Sequence, residues 1–242
     1  MIKTNSKEWQ ILIQKLIVEE GPKLGVKISQ KQCVLFSLHL AELLQWNSKI
    51  NLTALKEPVD LVEKHILDSI IMLPWLASGG SLLDIGSGGG FPGIPLKIMQ
   101  ESLSIRLIDA SRKKVNFLKH IIRTLSLKRI EALHIRAEEL AGRQTDNSFD
   151  FIISRALWPL NIYVKNAVSL LADNGAIIAF LSAGPASKHG FAGGNSSRIV
   201  KINNKNFQMK KKEYYLRCSK EKRFVIRLTP MDNFQNQEPK WV

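Results

Sequence analysis

The amino-acid sequence predicts an α/β fold: a mostly parallel sheet with helices on both faces, preceded by N-terminal helices. Three observations carry this. Apolar residues recur at helical spacing through the first part of the chain, and no strand pattern precedes residue 81. From there, short apolar runs alternate with helical stretches, the rhythm of a parallel sheet covered on both sides. The first of those runs ends in a glycine-rich loop that opens a helix, where open α/β sheets bind ligands.

Ser6 to Glu20 carries Trp9, Leu12, Ile13, Leu16 and Ile17 on one stripe, and Gly21-Pro22 stops it. Ser29 is placed to cap a second helix through Trp46, with Val34, Leu38, Ala41 and Leu44 on its face. After Asn51-Leu52-Thr53 and Pro58, a third helix is predicted over about 59–76, so 1–78 reads as an N-terminal helical segment. Strands are predicted at 81–85, 104–109, 130–135, 149–154 and 176–181. Helices are predicted from Arg112, with Val115, Leu118, Ile122 and Leu125 inward, and over about 157–171. Residues 183–206, rich in Gly, Ser and Asn, read as a mobile loop. Residues 213–218 and 223–229 read as an antiparallel hairpin at the sheet edge, which closes the sheet domain (79–229) and leaves 230–242 as a tail.

With 242 residues, 45% of them hydrophobic, the chain can bury a sizeable core. No apolar run reaches the roughly 18–20 residues that span a bilayer, and Lys7, Glu8, Lys15, Glu19 and Glu20 interrupt the apolar stretch a signal peptide needs. Two distant cysteines, Cys33 and Cys218, match no metal spacing and point to a reducing cytoplasm. The net charge is +14, and residues 183–242 supply +9 of it, from 13 Lys and Arg against 4 acids. Such an excess is the footprint of a polyanion binder or a solvated basic tail. Lys210, Lys211 and Lys212 form its clearest cluster, with phosphate contact and protection of a sheet edge as the two readings.

The strongest motif is Asp84-Ile-Gly86-Ser-Gly88-Gly-Gly90-Phe-Pro-Gly93. Gly88, Gly90 and Gly93 satisfy the dinucleotide pattern G-x-G-x-x-G, which keeps a nicotinamide-dependent oxidoreductase in view. The pattern Asp-x-Gly-x-Gly-x-Gly fits better, because Asp84 can hold the ammonium group of a methionine moiety and would repel a pyrophosphate. Asp109, 23 residues after Gly86, suits ribose hydroxyls or the N-terminus of the next helix. Ala137-Glu138 follows the third strand, where a backbone N–H and a carboxylate can meet an adenine edge; a solvated first-turn helix residue is the other reading of Glu138. Arg155, ending the fourth strand, can hold an anion bidentately or form a salt bridge within the protein. His65 and Asp68 share a helix face and can approach the site or an RNA, or serve as a core polar residue and a solvated acid.

Asn51-Leu-Thr-Ala54, Lys64-His-Ile-Leu-Asp-Ser69, Leu83-Asp-Ile-Gly-Ser-Gly-Gly-Gly-Phe-Pro-Gly-Ile-Pro95, Arg136-Ala-Glu138 and Ser154-Arg-Ala156 occur in that order. Together they resemble the ribosomal RNA small-subunit methyltransferase G family, also called glucose-inhibited division protein B, over about residues 40–182. The resemblance implies a Rossmann-like class I methyltransferase domain behind N-terminal helices. It implies S-adenosyl-L-methionine as cofactor, with contacts at Gly86, Phe91, Ala137-Glu138 and Arg155, and N7 of a guanine in small-subunit (16S) ribosomal RNA, as RNA or ribosomal particle, as target. A monomer is expected, without membrane or metal. The sequence departs from the family after the fifth strand, where Leu181-Ser182-Ala183-Gly184 replaces Leu-Lys-Gly. A non-catalytic RNA-binding protein that keeps the fold is the alternative. Guanine N7 already carries a lone pair, so alignment with the methyl donor is the main task and no general base is called for.

Overall fold

The structure, a computed structural model, describes residues 6–142, 148–155, 160–182, 196–216 and 220–231. Ser6 opens α1 (Lys7–Glu20) by accepting the Trp9 N–H, and Ser29 opens α2 (Gln30–Asn47) through a capping box with Gln32. The third predicted helix forms in pieces: α3 (Pro58–Leu61), a π-helical turn (Val62–Leu67), α4 (Asp68–Ile70), and a 3-10 turn (Leu73–Trp75). Pro74 stops the regular helix short of the expected boundary, because it has no N–H and its ring crowds the preceding turn.

The sheet then builds as β1 (Ser81–Ile85), α5 (Gly93–Met99), β2 (Ser104–Asp109), α6 (Arg112–Thr124), β3 (Ile130–His134), α7 (Ala137–Gly142), β4 (Phe149–Arg155), α8 (Leu160–Val168) and β5 (Leu171–Ser182). β6 (Ser196–Ile202), β7 (Lys205–Tyr215) and β8 (Lys222–Pro230) complete it in the order β3-β2-β1-β4-β5-β8-β7-β6. β1 to β5 are parallel, while β8 pairs antiparallel with both β5 and β7, and β6 antiparallel with β7.

Strand alternation sends Leu82, Leu107 and Ile153 to one face, where α1, α2, α5, α6 and the π turn supply Ile13, Leu40, Ile66, Ile94 and Phe117. Leu83, Ile108 and Ile152 face the other way, onto Leu140 of α7 and Tyr163 and Val164 of α8. The N-terminal helices therefore share one core with the glycine loop's side of the sheet, and they are positioned to shape it.

The expected loop at 183–206 requires correction. Its first part, 183–195, lies outside the described residues, but 196–202 is β6 and β7 already begins at Lys205. Asn203 and Asn204 both sit at positive φ (50° and 62°), the two-residue turn that joins twisted hairpin strands. β8 is not an edge strand, as it lies between β5 and β7. The tail from residue 232 lies outside the described residues.

Candidate cofactor site

β1 delivers the chain directly into Gly86, Gly88 and Gly90, all at positive φ (72°, 55° and 89°), which glycine adopts at no steric cost. The Gly86 and Ser87 N–H groups donate to the Ile108 carbonyl at 2.8 and 3.1 Å and tie the loop to β2. Asp109 completes the tie: Oδ2 accepts the Gly88 N–H at 3.0 Å and Oδ1 the Ser111 N–H at 2.8 Å, at the start of α6. Gly93 is needed for space rather than for φ. A Cβ there would lie 2.4 Å from Leu107 and 2.7 Å from the Asp84 carboxylate.

Asp84 is fully buried beneath this loop. Its Oδ2 accepts the Gly93 N–H at 3.0 Å, while Oδ1 has no hydrogen-bond partner among the described residues. Burial pushes the carboxyl up to about 7, against the opposing pull of the Gly93 bond.

A cavity of about 150 Å³ opens at the carboxyl ends of β1, β2 and β3. Gly86, Asp109, Ala137 and Glu138 line it together with Ile108, Ile135 and Lys114. Apolar walls flanked by two carboxylates suit a flat purine and a ribose. Glu138 is exposed and accepts a bond from the Asn166 amide at 3.0 Å, which steadies it at the rim.

The remaining sequence-derived residues lie elsewhere. Phe91 is buried between two imidazoles, His39 at 4.7 Å and His65 at 4.2 Å between ring centroids. Arg155 lies over the same ring and donates to the Lys64 carbonyl (2.7 Å) and His65 Nδ1 (3.1 Å), with Asp68 at 3.5 Å. Since an arginine only donates, His65 Nδ1 accepts, and Nε2 carries the proton toward Thr53 Oγ1 at 2.8 Å. Burial and the Arg155 charge hold His65 well below its ordinary range. Asp68 is buried at 1% exposure and accepts the Tyr214 hydroxyl, so it is no solvated acid.

Lys210, Lys211 and Lys212 are split by strand alternation. Lys211 is buried with its ammonium 5.1 Å from the Phe224 ring, whereas Lys210 is exposed and shares the opposite face with Lys212. His39 and Tyr214 carry no motif in the sequence. His39 is fully buried and donates from Nε2 to the Gly89 carbonyl at 2.9 Å, a strut beneath the loop.

The profile of the family described as rRNA small subunit methyltransferase G matches residues 32–213. The chain belongs to that family. The methyltransferase G of Geobacter metallireducens is 42% identical over 169 residues, which cover 70% of this chain and 76% of that protein. That of Syntrophus aciditrophicus is 43% identical over 172 residues, covering 70% and 71%. Among solved structures, an Agrobacterium tumefaciens protein described as a predicted O-methyltransferase superposes with TM-score 0.51 at 14% identity, over 69% of this chain and 80% of that one. That likeness speaks to the fold, a class I methyltransferase sheet. The family match spans the glycine loop, Asp109, Ala137-Glu138 and the Arg155 cluster alike, and it ends within β7, before β8.

Proposed function

We propose that this methyltransferase G family member transfers the methyl group of S-adenosyl-L-methionine to N7 of a guanine in 16S ribosomal RNA. The observation that carries the reading is the cavity that joins Gly86, Asp109, Ala137 and Glu138 at the strand ends, together with Asp84, buried under the same glycine loop with one oxygen unpaired. A buried, unpaired carboxylate oxygen is costly, and the ammonium group of a methionine moiety is its natural complement. The residues therefore fit the cofactor: Asp84 for the ammonium end, Gly86 and Gly88 for close backbone approach, Asp109 for the ribose, and Ala137 with Glu138 for the adenine. Bound there, the sulfonium supplies an electrophilic methyl group.

The chain's own task is to bind, orient and exclude water. His65 supports this division of labour. Nδ1 is engaged by Arg155 and Nε2–H by Thr53, so the imidazole has no free lone pair to act as a base. N7 needs none. Arg155, Phe91 and His65 instead form a packed wall behind the glycine loop. The protein is proposed to act as a monomer in the cytoplasm; no helix among the described residues is long and apolar enough to cross a membrane.

The test is transfer of labelled methyl from S-adenosyl-L-methionine to 16S RNA isolated from cells lacking the gene, offered both as RNA and in small-subunit particles. Digestion should release N7-methylguanosine as the labelled product. Label in another nucleoside, or none in either substrate, would refute the proposal.

A further inference from the structure

We propose that the exposed face of α6 is a docking strip for the RNA phosphate backbone, running from the rim of the cofactor cavity toward a groove at Trp46. The proposal rests on the RNA reading above and deepens it. α6 carries Arg112, Lys113, Lys114, Lys119 and Arg123 and no acidic residue. Arg112, Lys113, Lys119 and Arg123 are exposed, and none has an ion-pair partner among the described residues. Several other basic side chains near the site are already engaged, although Arg136 at the cavity lining has no ion pair among the described residues. Lys64 pairs with Asp60 and Glu221, Arg155 with Asp68, Lys222 with Glu213, and Arg223 with Glu221.

The arrangement is unfavourable for the helix itself. Arg112, Lys113 and Lys114 crowd the first turn, where the backbone dipole is positive, and Lys119 and Arg123 are like charges four apart on one face. Among the described residues no ion pair balances these cations, since the nearby Glu131 is paired with Arg106, and a polyanion laid along the helix would. Position supports the same partner. Lys114 lines the cofactor cavity. From Arg112 to Arg123 the helix rises about 16 Å. The strip ends at a groove of about 690 Å³ lined by Trp46, Asn116, Lys119, Arg123 and Glu131, where an aromatic and cations stand together and the one carboxylate is paired with Arg106. That combination suits an RNA strand, whose bases stack on aromatic rings while its phosphates meet cations.

The experiment compares wild type, Lys119→Ala/Arg123→Ala, the charge-reversed Lys119→Glu/Arg123→Glu, and a control, Lys201→Ala/Lys205→Ala, on the exposed β6–β7 edge. Each is titrated with 16S RNA from cells lacking the gene at several salt concentrations, and separately with S-adenosyl-L-methionine. The log–log salt slope should fall by about 0.7–0.9 per residue removed, which near 0.1 M salt is about five- to eightfold in affinity for each. The reversed pair should lose more. The control should match wild type, and cofactor affinity should be unchanged throughout, since neither Lys119 nor Arg123 lines the cavity. Wild-type slopes in both α6 variants, or an equal loss in the control, would overturn the strip while leaving the methylation reading standing if wild type still modifies the RNA. A slope loss confined to α6, with a wild type that transfers no methyl, would support the strip and remove the methylation reading.

Discussion

Nδ1 of His65 accepts a hydrogen bond from the Arg155 guanidinium at 3.1 Å. That bond joins the end of β4 to the π turn of the N-terminal segment, 90 residues apart in sequence. The same guanidinium neighbours Asp68, which is buried and also accepts the Tyr214 hydroxyl. Arg155→Ala should therefore cost about 3 kcal/mol, the lower end for stranding one partner of a buried pair, because Tyr214 still supports Asp68. Asp68→Asn added to it should return part of the loss. Urea unfolding measures both, and a single variant within about 0.5 kcal/mol of wild type would show that the pair does not hold these segments together. The double variant also isolates the family-implied cofactor contact at Arg155: a refolded protein with wild-type cofactor affinity would assign Arg155 to structure alone.

Asp84 should set the acid limb of cofactor binding. Its carboxyl titrates at about 7 and must be ionised to hold an ammonium group, so affinity should fall about tenfold per pH unit below 7. The ligand's α-amino group loses its proton near 7.7–8.0, so affinity should peak between about 7 and 8. Asp84→Asn keeps the shape and the acceptor for Gly93 but removes the charge. It should weaken binding at the peak by at least about tenfold, or 1.4 kcal/mol, and flatten the acid limb. Calorimetric titration across pH 5.5–8.5 tests this, and an unchanged acid limb in the variant would assign that titration to another group.

The glycines of the loop should fail for different reasons. Gly88 sits at φ +55° with only the Gly86 carbonyl, 3.8 Å away, near a built Cβ, so Gly88→Ala meets backbone strain and little else. A loss of about 1–2 kcal/mol is expected. Gly93→Ala would drive a methyl into Leu107 and the Asp84 carboxylate, 2.4 and 2.7 Å away. It should cost more than Gly88→Ala and also disturb cofactor binding through Asp84. Thermal melts and titrations of both variants give the ranking; the reverse order would contradict the geometry.

The glycine loop was legible because its whole logic is local: an acid, a strand end and glycines within ten residues. Asp109 was legible as a position, but its bonds were not: one oxygen accepts the Ser111 N–H at the start of α6 and the other the Gly88 N–H, a tie to the loop that neither reading of the sequence contained. The Tyr214–Asp68 contact had no local signal, as the partners are 146 residues apart. The sequence marks β7 only from residue 213, because Lys211 takes the next position in the alternation that Phe207 and Met209 begin, and Tyr214 packs on the opposite face of the sheet. Lys211 takes an inward position by laying its stem along Phe224, as long amphipathic side chains can. Asn203-Asn204 was a turn signal for the β6–β7 hairpin, hidden at the end of a Gly/Ser-rich stretch.

Asp109 ties the loop to the start of α6 and is the proposed ribose contact, so its removal should act twice. Asp109→Ala should weaken S-adenosyl-L-methionine and S-adenosylhomocysteine equally, by roughly 1.5–3 kcal/mol, because both carry the ribose. It should also lower stability by about 1 kcal/mol through the lost tie to Gly88 and Ser111. Paired titrations and melts separate the two effects. Discrimination between the two ligands would place Asp109 at the methionine end instead.

His39 and Asp84 should tilt stability in opposite directions with pH. His39 is fully buried, and desolvation lowers its pKa to about 4. Unfolded, it takes a proton near 6.5. Its contribution is therefore complete above 6.5 and lost as pH falls toward 4, by about 3 kcal/mol at most. Asp84 runs the other way. The unfolded carboxyl ionises near 3.8, but the folded one keeps its proton to about 7. Its contribution is complete below 3.8 and lost as pH rises toward 7, by about 4 kcal/mol at most. Between 4 and 6.5 the two slopes offset each other in wild type, which hides both. Differences from wild type reveal them; the lowering of His65 comes first from its own burial and from Arg155, both kept in the variants, with His39 a smaller cause that is lost in His39→Gln. His39→Gln keeps a donor toward Gly89 without a titrating ring, so it should gain on wild type as pH falls from 6.5 to 4. Asp84→Asn should gain on wild type as pH rises from 4 to 7. Urea unfolding at pH 4.5, 5.5 and 6.5 gives both difference curves. Curves that slope the same way, or stay flat, would mean that these two groups are not the buried titrating pair beneath the glycine loop.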